Sequence, residues 1–317
     1  MFRSMAYVYE VYKEMSFSRA AKNLYISQPS LSAAVKKVEE AIGAPIFDRS
    51  TNPITVTQLG EAYIHSIQSI MDVEKSFQNY VNDINLMKNG SLTIGGTNFY
   101  ISFVLPSLLP QFTEQYPNIH VELVEGTTLE LKEKLSSGVL DLLLDNSVRT
   151  LEGFERKVLR QEHLLLAVPK HFSCNADVTD YAFSAADVKE SFHLIDSTPS
   201  VPMTVFKDQP FLLLREGNST RTRAMNICRK YHFEPRCKLE LSQQITAYNL
   251  SCHGMGISFV GDSLIQNVPE VPNLLFYKLE GKDAVRQVSF YYKKNRYMSR
   301  AVQAFLNMLN EYTADLR

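Results

Sequence analysis

The sequence has almost no net charge: 33 lysines and arginines stand against 34 aspartates and glutamates in 317 residues, leaving −1 with the histidines neutral. So even a balance excludes a chain that is basic throughout, and any contact with a polyanion must rest on a local patch. Long apolar runs are missing as well. None approaches the ~20 residues that a bilayer-spanning helix requires. The first fourteen residues carry Arg3, Glu10, Lys13 and Glu14, with no apolar segment and small-residue cleavage site behind them, so the expected location is the cytoplasm, with no membrane contact. Cysteine is scarce: four residues, at 174, 228, 237 and 252, with neither Cys-x-x-Cys spacing nor a His-x-x-x-His companion. Reduced, mostly buried thiols are expected, the alternative being a redox pair.

Catalytic signatures are absent too. Gly95-Gly96 and Gly254-Met255-Gly256 lack the spacing of a dinucleotide loop, and the chain has no Gly-x-x-x-x-Gly-Lys phosphate loop and no Gly-x-Ser-x-Gly elbow. Seven histidines, at 65, 120, 163, 171, 193, 232 and 253, show no close ligand spacing. Neither an enzyme nor a metal or other cofactor is expected.

What is present starts at the N-terminus. Phe2, Met5, Val8, Tyr9 and Tyr12 recur at three- and four-residue steps, which predicts an amphipathic helix. Ser18 is read as the cap of a second helix over residues 19–24, where Ala20 and Ala21 are small enough for a crossing helix, and Tyr25 and Ile26 form the turn. Ser27 then caps a third helix, Pro29 is tolerated in its first turn, and Gly43 ends it. Leu31, Ala34, Val35, Val38 and Ile42 share one face of that helix, while Gln28, Ser30, Ala33, Lys36 and Lys37 share the other. The second face is either a plain solvated surface or one that meets base edges and phosphates at its leading end. Short strand-like runs at 46–49 and 54–56 flank Ser50, Thr51, Asn52 and Pro53, which predicts a hairpin, or wing. Arg49 at its base either grips nucleic-acid backbone or pairs with Glu39, Glu40 or Asp48.

The stretch "FSRAAKNLYISQPSLSAAVKKVEEAIGAPIFDRSTNPITVTQLGEAY" resembles the DNA-binding domain of LysR-type transcriptional regulators. The likeness rests on the order Ala-Ala, Ser-Gln-Pro-Ser-Leu-Ser, Val-Glu-Glu, Gly, Phe-Asp-Arg and Thr-x-x-Gly. It implies that Ser27, Gln28, Pro29, Ser30 and Ser32 lie at or near DNA, with Lys36 and Arg49 on phosphates. Ala33 departs from the pattern, since the family often carries a long polar or basic side chain there, so base readout leans on Gln28, Ser30, Ser32 and the wing.

Thr57 can cap the next helix, whose stripe runs through Leu59, Tyr63, Ile67, Ile70, Val73, Phe77, Tyr80, Val81, Ile84 and Met87. It describes a rod on the order of 45 Å long. Such a stripe packs on its own domain or pairs with a second copy, and the resemblance implies the pairing helix of a dimer, hence an imperfect inverted repeat in a promoter as the double-stranded DNA target.

Beyond residue 90, short apolar strands alternate with amphipathic helices, as in a sheet covered by helices. Two α/β lobes with a ligand cleft between them are expected, the strands near 274–277 and 288–292 and the helix at 299–312 returning to the first lobe. "GSLTIGGTNFYISFVLPSLLPQFTEQYPNIHVELVEG", "SGVLDLLL", "GNSTRTRA" and "CHGMGISFV" are similar to the effector-binding domain of the same regulators, itself similar to periplasmic binding proteins. This likeness places Thr97, Asn98, Tyr100, Thr127, Thr128, Asn218, Ser219 and Thr220, with Gln243 and Thr246, about a small polar or anionic effector; helix capping is the alternative role for each. Arg221 is read as a contact to an anionic effector or as half of a salt bridge across a subunit contact, and His253 as a structural residue. The stretch 170–209 is longer than the family's usual connection and suggests an extra helix and loop beside the cleft.

The whole is expected to be an α/β protein: a winged helix-turn-helix over 1–57, a linker and dimerisation helix over 58–89, and a two-lobed, periplasmic-binding-protein-like effector domain over 90–317. Its lobes would comprise 90–162 with 268–317, and 163–267. The resemblance implies a homodimer or homotetramer, with RNA polymerase as a further partner. A cleft that serves a protein partner instead of a metabolite is the competing expectation.

Overall fold

The computed structural model describes residues 4–84, 90–146, 153–294 and 296–314. Phe2, and Met87, Lys88 and Asn89 at the end of the rod, lie outside them. The chain forms two compact units: residues up to Asn79 together with Ser136–Val139, and Tyr80–Leu135 together with Leu140 onward. Among the described residues no helix is long and apolar enough to cross a membrane.

The N-terminal unit holds α1 (Met5–Glu14), α2 (Phe17–Asn23), α3 (Gln28–Ile42), β1 (Phe47–Asp48), β2 (Thr55–Val56) and most of α4 (Gln58–Ile84). Val8, Val11, Ala20, Ala21, Leu31, Val35 and Phe47 are among the side chains that close its core. The second helix begins earlier than expected. Ser16, not Ser18, accepts the Arg19 N–H at 3.4 Å, which brings Phe17 into the first turn, where its ring meets Phe47 edge-on at 5.9 Å. Asn23 donates to both Glu10 (2.9 Å) and Glu14 (3.0 Å), tying α2 to α1, and Tyr25 makes the sharp turn with φ of 54°. The third helix forms as its sequence predicts: Ser27 Oγ accepts the Ser30 N–H at 3.3 Å, and Gly43 closes the helix with φ of 87°. Ser27→Ala is therefore expected to destabilise this unit by about 1 kcal/mol, read by denaturant melts that follow its helical signal. The hairpin pairs Phe47 with Val56 and Asp48 with Thr55. Thr57 caps α4 by accepting the Gly60 N–H at 3.0 Å and donating to the Pro45 carbonyl at 2.7 Å. A side chain at Gly60 would meet the Ile46 carbonyl oxygen at 2.2 Å, so only glycine allows this approach.

The larger unit runs β3 (Ser91–Gly96), α5 (Leu109–Gln115), β4 (His120–Glu125), α6 (Thr128–Ser136), β5 (Leu142–Asp145), β6 (Phe154–Pro169), β7 (Ala182–Phe183), α7 (Ala185–Lys189), β8 (Pro210–Leu214), α8 (Ser219–Lys230), β9 (Arg236–Leu241), α9 (Gln244–Cys252), β10 (Ile257–Gly261), α10 (Asp262–Asn267), β11 (Leu274–Lys278), β12 (Val285–Lys293) and α11 (Arg300–Ala314). Its strands follow the order β4-β3-β5-β12-β6-β10-β8-β9. β3 is parallel to β4 and β5, and β8 is parallel to β9 and β10, whereas β12 and β10 run antiparallel to β6. β6 therefore belongs to both lobes: its first half pairs with β12, and its second with β10 and β11. One core, around Phe112, Phe290 and Phe305, runs from the first lobe onto one face of β6, β10 and β11, through Leu165, Val260 and Phe276; another, around Phe206, Phe211 and Tyr277, lies within the second lobe.

Four expectations differ from the structure. β11 does not return to the first lobe but pairs with residues 165–169 of β6 and with β7, a choice of neighbour that its own alternation does not encode. The helix expected over 101–115 is broken into a π turn (Tyr100–Val104), a 3-10 turn (Leu105–Ser107) and α5, because Pro106 and Pro110 each remove a backbone donor. The stretch 170–209 contributes Cys174, Val178, Val201, Met203 and Phe206 to the second lobe's core, and so is built into that lobe instead of lying beside the cleft. Cys237 sits exposed on edge strand β9, against the expectation of mostly buried thiols, while Cys174 and Cys228 are buried and all four are free. Burial pushes the Cys228 thiol up to about 12 and raises Cys174 and Cys252 as well, which keeps these three protonated and unreactive.

Candidate functional site

At the head of α3, Ser27, Gln28, Pro29 and Ser30 are all exposed, Ser32 is half-buried, and Lys36 and Lys37 follow on the open face. Ser27 and Ser30 hydroxyls lie 2.7 Å apart, so both take part in the cap. Lys36 is a loose partner of Glu40 at 3.7 Å, with both side chains more than 60% exposed, and is free to turn to another anion. Arg49 is held differently. Its guanidinium pairs with Glu39 at 2.8 Å, donates to Ser32 Oγ at 3.2 Å and lies 4.7 Å from the centre of the Phe17 ring. Glu39 in turn accepts the Ile46 and Phe47 N–H groups. The pairing with Glu39 foreseen as the alternative for Arg49 is thus present, and it locks the wing to α3.

The second constellation lies where the strand ends of the two lobes face each other. Thr97, Thr127, Thr128, Asn218 and Gln243 line a cavity of about 270 Å³, together with Lys132, Arg215, Glu216 and Ser242. A smaller space of about 30 Å³ adjoins it, bounded by Tyr100, Asp145, Asn146, Thr220 and Gln244 as well as by Thr97, Thr128 and Asn218. The first turns of α6 and α8 open on this cleft, with backbone N–H groups that favour negative charge. Several expected contact residues also cap helices. Thr127 forms a reciprocal cap with Glu130: its N–H (2.8 Å), then its hydroxyl (2.9 Å), hold the Glu130 carboxyl below the usual range. Asn218 Oδ1 accepts the Thr220 N–H at 2.8 Å.

Ser219 donates to Asn146 Oδ1, and Asn146 Nδ2 donates to Tyr100 Oη at 2.7 Å, so a polar chain crosses from α8 to the end of β5. Ser219, Asn98 and Thr246 line neither space. Asn98 donates to Glu125 at 3.2 Å, and Thr246 is exposed, with its neighbours Ala247 and Tyr248 turned inward. Arg221 pairs with Glu240 at 3.1 Å and donates to the Leu214 carbonyl, a salt bridge within the chain. Lys132 and Arg215 were missed in the sequence. The first falls one helical turn beyond Thr128 and the second directly after a strand, spacings that mark both as cleft positions once the elements are known. Beneath the cleft, Thr220 Oγ1 accepts from Arg286 at 2.7 Å, Arg286 pairs with Glu162, and Glu162 also accepts from Ser263.

A winged helix-turn-helix followed by a two-lobed domain with a polar cleft defines a DNA-binding regulator that carries its own sensor. The family model described as "Bacterial regulatory helix-turn-helix protein, lysR family" matches residues 2–61, and "LysR substrate binding domain" matches residues 87–314. The chain belongs to the LysR family: it is a DNA-binding transcriptional regulator with an effector-binding domain. It is 28% identical over 312 residues to the uncharacterized HTH-type transcriptional regulator YcgK of Bacillus subtilis (strain 168), covering 97% of this chain and 93% of that protein. In fold it is similar to a full-length OxyR variant from Pseudomonas aeruginosa, with a TM-score of 0.65 at 21% identity over 98% of this chain and 94% of that one. It is likewise similar to full-length CbnR solved with its target DNA, with a TM-score of 0.61 at 20% identity over 98% and 99%.

Proposed function

We propose that α3 enters the major groove of a promoter, with Gln28, Ser30 and Ser32 at base edges, Ser27 and Pro29 at the groove's rim, and Lys36 and the wing on phosphates. The observation that carries this is the leading end of α3, where four successive small or polar residues stand exposed at a helix N-terminus. Arg49 then acts chiefly by holding the wing against Glu39, with its remaining N–H groups turned to the backbone. On this reading residues 1–57 bind DNA, 58–89 pair two chains and 90–317 sense the effector. Val73 and Phe77, 69% and 66% exposed one turn apart on α4, favour the pairing. Two recognition helices then meet an imperfect inverted repeat, two dimers assemble into a tetramer, and effector binding alters the bend of the DNA and the access of RNA polymerase. The protein works in the cytoplasm, and no catalytic step is assigned to it.

The effector is a small anion or polar molecule. Lys132 and Arg215 line a space of about 270 Å³ with Glu216, Lys132 standing 4.0 Å from Asp145, and the openings of α6 and α8 add backbone N–H groups that suit a polar or anionic group. Capture of genomic fragments by the full-length protein, followed by mobility shifts at two salt concentrations, is expected to enrich a promoter carrying a dyad; weak binding to all fragments, erased by salt, would count against sequence reading. A thermal-shift panel of small carboxylates and other anions is expected to give a stabilising compound whose effect falls in Lys132→Gln. Stabilisation by none of them would favour a cleft that receives a protein partner.

A further inference from the structure

Three side chains that no motif links meet at one point of the second lobe. His163 lies in β6, His193 in the 3-10 turn Phe192–Leu194 of the long 170–209 stretch, and Asp262 opens α10. His163 Nδ1 and His193 Nε2 each stand 3.2 Å from the same atom, Asp262 Oδ2, and the three donor atoms fall within 4.8 Å of one another. His193 and Asp262 are buried, whereas His163 is 26% exposed and, with His193, borders a cavity of about 470 Å³ that shares no lining residue with the cleft.

We propose that His163, His193 and Asp262 form a binding site for a borderline divalent transition cation such as Zn²⁺, with the remaining coordination position open to that cavity. Two imidazole nitrogens and one carboxylate oxygen are a donor set that such a cation takes, and bonds of ~2.0–2.2 Å in tetrahedral geometry place ligand atoms about 3.2–3.6 Å apart. Both imidazole nitrogens stand 3.2 Å from Asp262 Oδ2, within that range, and lie within 4.8 Å of each other, so side-chain rotation alone closes the set. A hard cation would seek more oxygens than the site offers. The Gln161 amide nitrogen lies 3.2 Å from His163 Nε2 and donates to it, so the His163 proton sits on Nδ1 toward Asp262 and leaves when the cation takes that position. His193 faces Asp262 through Nε2, and coordination there puts its proton on Nδ1, which is buried without a hydrogen-bond partner. A cation there fastens the 170–209 stretch to β6, next to Glu162 and Ser263 in the buried network.

The test is titration of the chelator-stripped, full-length protein with Zn²⁺ by calorimetry. One site per chain is expected, with Kd at or below about 1 μM. His193→Gln is expected to weaken it by more than the roughly 10–100-fold that loss of an outer contact costs, while Cys237→Ser leaves it unchanged. Co²⁺ bound to the unmodified protein is expected to show the visible absorption of a tetrahedral nitrogen and oxygen site, a readout that needs no variant. Circular dichroism of the stripped variants checks their fold, and His163→Gln takes the place of His193→Gln if the latter does not fold. Absence of a tight site in the unmodified protein, its survival when either histidine is replaced, or its loss in Cys237→Ser overturns the proposal, the cluster then being two imidazoles hydrogen-bonded to one carboxylate.

Discussion

Arg286→Met is expected to destabilise the larger unit by about 3–5 kcal/mol, because it leaves the Glu162 carboxylate charged and unpaired in the interior. Arg286 is 3% exposed and Glu162 is fully buried, so water cannot take the place of the lost guanidinium. Burial opposes the charge of Arg286, but the facing Glu162 carboxylate more than offsets it and keeps the guanidinium above its ordinary range. The change also removes the donor that holds Thr220 beneath the cleft, so four segments lose a common junction: β6, β12, α8 and the start of α10. For a unit of this size the shift in Tm is about 6–20 °C. Differential scanning calorimetry of the full-length protein measures it, and a shift of a degree or two would contradict the role given to the pair. Glu162→Gln combined with Arg286→Met is expected to be milder than Arg286→Met alone, since no unpaired charge remains.

Gln28→Ala is expected to cost about 1–3 kcal/mol in binding to the target sequence and little in binding to random DNA, because a side-chain amide at the head of α3 discriminates among bases. Lys36→Ala is expected to weaken binding to both kinds of DNA alike and to reduce the slope of log affinity against log salt by about one per site. Competition mobility shifts with target and random duplexes at several salt concentrations separate the two. Unchanged discrimination in Gln28→Ala would remove that side chain from base readout. The absence of a long side chain at Ala33 concentrates the expected loss on Gln28, Ser30 and Ser32.

The local features of the fold were legible in the sequence. The Ser27 cap, the Gly43 stop, the wing and the Thr57 cap follow from residue types acting within a few positions of one another, and the strands and helices of the larger unit follow from their apolar spacing. Elsewhere a distant partner decides the outcome. Ser16 displaced Ser18 as a cap because Phe17 packs on Phe47, thirty residues away. β11 joined the second lobe because a free edge of β6 was there to receive it. At the cleft, Thr97, Thr127, Thr128, Asn218 and Gln243 were reached through the family likeness, whereas Lys132 and Arg215 needed the elements to be placed first.

By itself the sequence determined the helix-turn-helix, the long helix α4 and the alternating α/β pattern, since periodicity, caps and turns act through neighbouring residues. Only the tertiary structure decided that Arg49 is clamped by Glu39, that Glu162 and Arg286 share a buried junction, and that His163, His193 and Asp262 converge. The physical reason is distance along the chain: His163 and Asp262 are 99 residues apart, and Glu162 and Arg286 are 124. No local pattern records a contact that forms only when strands from separate parts of the chain come to lie side by side.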